Sequence, residues 1–296
     1  MSTSTLTTAL PARLLLATDL SARCDRALDR AAQLAKEWQA ELIALNVLDV
    51  PASPDQVLTW AAGKGEDDAL HTARQQIARD LSGLGIHATM RIARSGDAAA
   101  TIRDIAVDTA SALVITGVEC NELFGRCLLG STVERLARSL PQPLLVVRNR
   151  VHGAYRRIVV ATDFSDSSRH ALLAAVRLFP GHELILYHAH QSPLAGISNG
   201  PSHAHINSSS EQGECADFLA ASELSADVTV SAVIEHGALE TTLTQYVRSH
   251  EIDLVVMGTH GRSGIMNILL GSSAAKLLDW LPCDTLIVRA PRAAIA

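Results

Sequence analysis

No run of lysine or arginine interrupts this 296-residue sequence, and its formal net charge is −6. A general nucleic-acid binder neutralises phosphates with a basic patch or stripe, so nucleic acid is not expected as a partner. No apolar stretch reaches the length that crosses a bilayer, so no membrane span is expected either. Met1–Ala9 is rich in Ser and Thr, with no charged region leading into a long apolar core, which is not the pattern of a secretory signal. The five cysteines, Cys24, Cys120, Cys127, Cys215 and Cys283, are odd in number and contain no Cys-x2-Cys pair. That speaks against both a disulfide framework and a zinc ribbon. The expectation is a soluble, cytoplasmic protein with reduced thiols.

What is present is a repeat. Leu14-Leu15-Leu16-Ala17-Thr18-Asp19-Leu20-Ser21 returns as Ile158-Val159-Val160-Ala161-Thr162-Asp163-Phe164-Ser165. Gly96 and Gly117 are as far apart as Gly237 and Gly258, and Gly117 and Gly130 as far apart as Gly258 and Gly271. Leu145-Val146-Val147-Arg148 is answered by Leu286-Ile287-Val288-Arg289. The two halves therefore share a frame, and the length suits two domains, placed at 1–150 and 151–296 with Val151–Arg156 as linker.

Within the first half, short Val/Ile/Leu-rich segments fall near Arg13–Ala17, Glu41–Val47, His87–Ile92, Leu113–Thr116 and Leu144–Arg148. Helical spacing recurs between them, as in Ala27, Leu28, Ala31, Ala32, Leu34 and Ala35 of Asp25–Gln39. Ser167–Leu178 and Glu240–His250 are the clearest helices of the second half. Short apolar strands alternating with helices predict an α/β fold, with parallel strands buried on both faces and right-handed crossovers. Five strands and about four helices per half fit two tandem doubly wound domains, each with a five-stranded, mostly parallel sheet.

The candidate site lies in the second half. An apolar strand, Leu254-Val255-Val256-Met257, runs into Gly258-Thr259-His260-Gly261, and Gly271-Ser272-Ser273 precedes a helix in which Ser272 or Ser273 is the expected cap. Glycines allow a ligand close to the main chain, and unpaired amides at a helix start suit an anion. The loop is not a Walker A sequence, since no Gly-Lys-[Ser/Thr] follows. In a sheet of order 3-2-1-4-5, the strand ending at Asp163 neighbours the one ending at Gly258, and ligands bind beyond such carboxyl ends where strand order reverses. Asp163 would then accept from a base or ribose donor while the glycine loop takes phosphates. Asp163 would equally serve as a helix cap, alone or with Ser165.

The spacing Gly-x2-Gly-x9-Gly-[Ser/Thr], met by Gly258, Gly261, Gly271 and Ser272, together with the repeated Ala-Thr-Asp-x-Ser opening, resembles the tandem-type universal stress proteins over nearly the whole chain. That resemblance implies binding of ATP or ADP, with Mg, and a role as a stress-response sensor or adaptor. It implies contacts from Ala161 and Asp163 near the base, Ala189 after the second strand, and Met257, Gly258, Gly261, Gly271, Ser272 and Ser273 along the phosphates. It also implies that the two domains pair through their fifth strands, joining Leu144–Arg148 to Thr285–Arg289 and removing two exposed edges. A homodimer and an unknown protein partner stay open.

The first half departs from the pattern. Gly117, Gly130, Ser131 and Thr132 remain, but Cys120 stands where Gly261 does, in the sequence Glu119-Cys120-Asn121-Glu122. A β-carbon restricts that turn and two carboxylates repel a polyphosphate, so one nucleotide per chain is expected, in the second half. Cys120 and Cys127 read as inert or as redox-active with Arg126 nearby. Ten of the twelve histidines follow residue 150, and His188-x-His190 with His203-x-His205 on a Ser/Gly/His-rich loop, Asn199–Gly213, makes a candidate zinc site. Arg262 and His260 would offset phosphate charge or lie in solvent. No Gly-x-Ser-x-Gly elbow is present and no catalytic residue is identified. Alternatives to the sensor are a weak nucleotide hydrolase and a metal- or small-ligand-binding module using the histidine loop and the first-half crevice.

Overall fold

The computed structural model describes residues 10–48, 65–121, 126–128, 130–190, 202–261 and 271–290. In the first half these form β1 (Arg13–Thr18), α1 (Asp25–Trp38), β2 (Glu41–Leu48), α2 (Gly65–Leu81), β3 (Ala88–Arg94), α3 (Ala98–Asp108), β4 (Leu113–Gly117), β5 (Glu119–Asn121), β6 (Arg126–Leu128), α4 (Ser131–Ser139) and β7 (Leu144–Val147). The second half carries β8 (Ile158–Ala161), α5 (Asp166–Leu178), β9 (Leu184–His190), α6 (Ser202–Ala221), β10 (Val230–His236), α7 (Leu239–Ser249), β11 (Leu254–Gly258), α8 (Ser272–Trp280) and β12 (Asp284–Val288).

Ten strands form one continuous sheet, ordered β10-β9-β8-β11-β12-β7-β4-β1-β2-β3. Each half therefore has the expected order 3-2-1-4-5, with parallel neighbours throughout. The halves meet where β12 pairs with β7 antiparallel, Thr285 opposite Val146, Leu286 opposite Leu145 and Ile287 opposite Leu144. The fifth strands are thus the seam that the resemblance implied.

Strand side chains alternate between two faces, and both faces are buried. Leu14, Leu16, Leu145, Val147, Leu254, Val256 and Leu286 face a core shared with α1, α5 and α6. Leu15, Leu144, Val146, Val255, Met257 and Ile287 face a second core, shared with α3, α4, α7 and α8. Burial on both sides is why these strands read as unbroken apolar runs rather than as polar–apolar alternations. Each of the four β7 side chains is at most 1% exposed, and burying a Val or Leu is worth about 1.5–3 kcal/mol. Both cores run through the seam, so it is held as the interior of a domain is held.

A buried polar knot fastens the same place. Asp284, 1% exposed, accepts from the Arg148 amide (2.8 Å) and the Asn149 amide (3.0 Å) through Oδ1. Its Oδ2 accepts from the Tyr155 hydroxyl at 2.7 Å and lies 3.4 Å from Arg30 Nε. The Arg30 guanidinium sits 4.0 Å over the Tyr155 ring and donates to the Gly153 carbonyl. Burial, and then the Asp284 carboxylate, push the Tyr155 phenol well above its ordinary value, so it stays a donor. Trp38 of α1 completes the contact against Phe179, at 5.9 Å between ring centroids.

Two expectations need correcting. The Ser/His-rich stretch Asn199–Gly213 was expected as a loop, yet from Ser202 onward it is part of α6, which runs on to Ala221. Cys215 and Phe218 anchor that helix in the core, and adding residues to a formed helix is cheap compared with starting one. The first-half sequence Glu119-Cys120-Asn121 is a strand, β5, paired antiparallel with β6 in a separate two-stranded sheet.

Removing one partner of a buried ion pair leaves the other charge uncompensated, typically at about 3–5 kcal/mol. Asp284→Ala should therefore lower the free energy of unfolding by about that much in urea titrations. Glu251→Gln, which breaks the exposed pair with Arg157, should change it by less than about 1 kcal/mol.

Candidate functional site

The chain leaves β8 through a tight turn. Phe164 takes a positive φ of 61°, and its amide donates to Thr162 Oγ1 at 2.9 Å. Asp163 Oδ1 accepts from the Ser165 hydroxyl at 2.6 Å, and Ser165 Oγ in turn accepts from the Ser168 amide as the N-cap of α5. Ser165 therefore does the capping, and Asp163 braces it. Asp163 Oδ2 faces elsewhere: a β-carbon built on Gly261 would lie 2.7 Å from it. The end of β8 and the turn after β11 thus touch, as neighbouring strands require, and only glycine fits at 261 without displacing the carboxylate.

Two further contacts shape the turn. A β-carbon on Gly258 would stand 2.5 Å from Ser167 Oγ and 2.9 Å from the Ser167 carbonyl oxygen, so β11 ends hard against the first turn of α5. The His260 amide donates to Ser167 Oγ at 3.3 Å, and the Gly271 amide donates to the Thr259 carbonyl at 2.9 Å. The loop that leaves β11 therefore returns onto its own starting point before α8 begins. Gly271, not a serine, is the N-cap of α8, and no side chain caps it. Gly271 has non-helical torsions and the helix begins at Ser272, which puts Ser272 and Ser273, both exposed, in its first turn. The serine cap expected from the sequence is corrected accordingly: the hydroxyls stay uncommitted to capping.

The remaining predicted residues divide. Ala161 and Met257 are 7% and 3% exposed and belong to the second core, so a ligand would meet their main chain. Ala189 is half-buried near the end of β9. Arg262 lies outside the described residues. His188 Nδ1 is 2.8 Å from the Thr162 carbonyl and its ring stacks on Phe164 at 4.4 Å, so it supports the β8 turn. His190 Nδ1 is 3.1 Å from Glu211 Oε1 of α6. His203 and His205 fall in the first turns of α6. Among the described residues no three His, Cys, Asp or Glu side chains converge as a metal site.

Sequence reasoning missed Ser167, which touches both the Gly258 and the His260 ends of the turn. Its only signal is its place in a Ser-Ser pair opening a helix, where capping is the default reading.

The first half keeps the crevice and changes its contents. Asp19 Oδ1 accepts from the Ser21 hydroxyl (2.7 Å) and amide (2.9 Å) and from Cys24 Sγ (3.2 Å). Burial works to raise the Asp19 pKa, but Ser21, Cys24 and Arg23 outweigh it and hold the carboxyl below its ordinary value. A cavity of about 230 Å³ opens there, lined by Asp19, Arg23, Cys24, Val47, Val118 and Gly130 among others. Arg23 and Cys24 stand where the second half has Ser167 and Ser168.

Two doubly wound halves, each with a carboxylate turn beside a glycine-bearing strand end, define a tandem doubly wound α/β protein. The model of the Universal stress protein family matches residues 12–148 and again 154–289, and the chain belongs to that family as a tandem member. A Mycolicibacterium smegmatis universal stress protein is 26% identical over 93% of this chain and 96% of its own. One from Methanocaldococcus jannaschii is 28% identical over 50% of this chain and 89% of its own. In fold, a universal stress protein from Archaeoglobus fulgidus is similar at a TM-score of 0.67 and 19% identity, covering 94% of this chain and 98% of that one.

Two outcomes follow. Gly258→Ala should cost about 1–3 kcal/mol in thermal or denaturant unfolding, because its β-carbon meets Ser167 main chain as well as a movable hydroxyl. Asp19 stabilises the fold fully above the ordinary carboxylate pKa of 3.8, and that contribution fades as pH falls through its lower folded value. The stability gap between the wild-type chain and Asp19→Ala should therefore narrow below pH 3.8 in acid titrations.

Proposed function

We propose that the second half binds one ATP, or a related adenine nucleotide, in the crevice between the β8 and β11 ends, and that the chain acts as a stress-response sensor or adaptor. The observation that carries this is the close approach of Gly261 to Asp163, which sets a turn without a side chain beside a carboxylate at the strand ends. Asp163 Oδ2 accepts from the nucleoside. Main-chain amides at Gly261 and in the first turn of α8 take the phosphates, with the positive end of the helix dipole behind them. The exposed hydroxyls of Ser272 and Ser273 donate to the same oxygens. Magnesium would accompany the phosphates, and a metal-free complex is the reference for it. The coil at Val151–Arg156, between β7 and β8, supports domain limits of 1–150 and 151–296.

A second ligand is favoured by the 230 Å³ cavity of the first half. It would be a small molecule without a polyphosphate, since Cys120 replaces the glycine that Gly261 supplies and Glu119 and Glu122 bring negative charge.

Titration calorimetry should find one ATP site per chain. Asp163→Ala should weaken binding by on the order of tenfold, the worth of one hydrogen bond to a charged group. Gly261→Val should abolish binding while leaving the circular dichroism spectrum intact, and Gly130→Val should leave it unchanged. Two equivalent ATP sites, or loss with Gly130→Val alone, would refute the assignment.

A further inference from the structure

In the two-stranded sheet of the first half, Cys120 stands directly opposite Cys127, flanked by Glu119 opposite Leu128 and Asn121 opposite Arg126. Residues directly opposite in an antiparallel ladder have Cα atoms about 4.5 or 5.5 Å apart, according to the type of pair. A disulfide needs about 4.4–6.8 Å. The register alone therefore meets the spacing of a covalent cross-link.

The pair belongs to the first half only, because Gly261 and Ile268 occupy the corresponding positions of the second. It lies on a ribbon that is separate from the ten-stranded sheet, with β6 against α8 of the second half, and a two-stranded ribbon has little stability of its own. Val118 and Gly130, which precede β5 and follow β6, both line the first-half cavity. A bond across the ribbon would thus fix the segment that bounds that cavity.

We propose that Cys120 and Cys127 form a dithiol site that a hydroperoxide oxidises to a cross-strand disulfide, locking the ribbon beside the first-half cavity. One thiolate attacks the peroxide oxygen: an S–O bond forms, the O–O bond breaks, and the leaving oxygen takes a proton to become water or alcohol. The second thiolate attacks the resulting sulfenic acid: the S–S bond forms, the S–O bond breaks, and hydroxide leaves as water. Two thiols lose two electrons and the peroxide gains them. The other cysteines are less suited. Cys24 is bound to Asp19, and burial pushes its thiol up; Cys215 and Cys283 are 5% and 1% exposed, with burial raising both thiols. Low thiolate content makes each a poor nucleophile. The site is independent of the nucleotide reading of the second half.

The test uses the full chain, hydrogen peroxide, thiol alkylation and peptide mass spectrometry. The expected result is simultaneous loss of alkylation at Cys120 and Cys127, a linked peptide lighter by two hydrogens, and full recovery with dithiothreitol. Cys120→Ser should stop at a trappable sulfenic acid on Cys127, and Cys24→Ser should oxidise as the wild type does. Hydrogen exchange of the β5 and β6 amides should slow on oxidation in the wild type and not in Cys120→Ser. Persistent alkylation of both thiols, a bond to Cys24, or a cross-link between chains would overturn the proposal. Unchanged exchange in the oxidised chain would overturn the locking of the ribbon.

Discussion

The antiparallel seam between β7 and β12 is the constraint on which the rest depends. Either strand alone would present a hydrophobic edge, four side chains deep in the case of β7, and such edges invite pairing with other chains. Pairing them inside one chain closes both edges and lets each core continue into the other half. The seam is also directional in partner choice. Asp284, Arg30 and Tyr155 make a buried knot that the repeat does not duplicate, since Pro143 and Ala174 occupy the places corresponding to Asp284 and Arg30. Pairing two copies of the same half would leave either no knot or a lone buried charge, which is costly. The halves fit each other better than they fit themselves.

That scaffold fixes what the strand ends can do. Strand order 3-2-1-4-5 makes β8 and β11 neighbours, and the small residues at their ends let the two exits touch. Gly258 presses on Ser167, Gly261 on Asp163 and Gly271 on Thr259. Three glycines with three different neighbours thus let main chain approach main chain and a carboxylate at the end of β11. In the first half the same framework carries Arg23, Cys24 and Cys120 at the matching places, and the loop becomes a ribbon. One architecture has kept two sets of strand ends and furnished them differently.

Much of this was legible in the sequence because local chemistry and global fold ask for the same residues. Both-face burial writes strands as apolar runs, and the Ala-Thr-Asp-x-Ser turns mark where they end. The glycines stood out because a β-carbon would collide there. What stayed hidden depends on distance along the chain. Nothing near Asp284 announces that Arg30 and Tyr155 will reach it, and Ser167 looks like any serine opening a helix. The N-terminal part of α6 is not legible as helix because Ser and His are poor helix formers, a bias that the buried Cys215 and Phe218 override. Cys120 and Cys127 were visible as residues but not as partners, since only the register of β5 against β6 sets them face to face.

Because β12 runs against β7 while every other neighbour in the large sheet is parallel, the strands of one half point opposite to those of the other. The carboxyl ends of the two sets of strands therefore face opposite sides of the molecule. The ribbon strand β6, near the strand ends of the first half, lies against α8 of the second, so a change in one half has a direct contact with a helix of the other that does not run through the sheet.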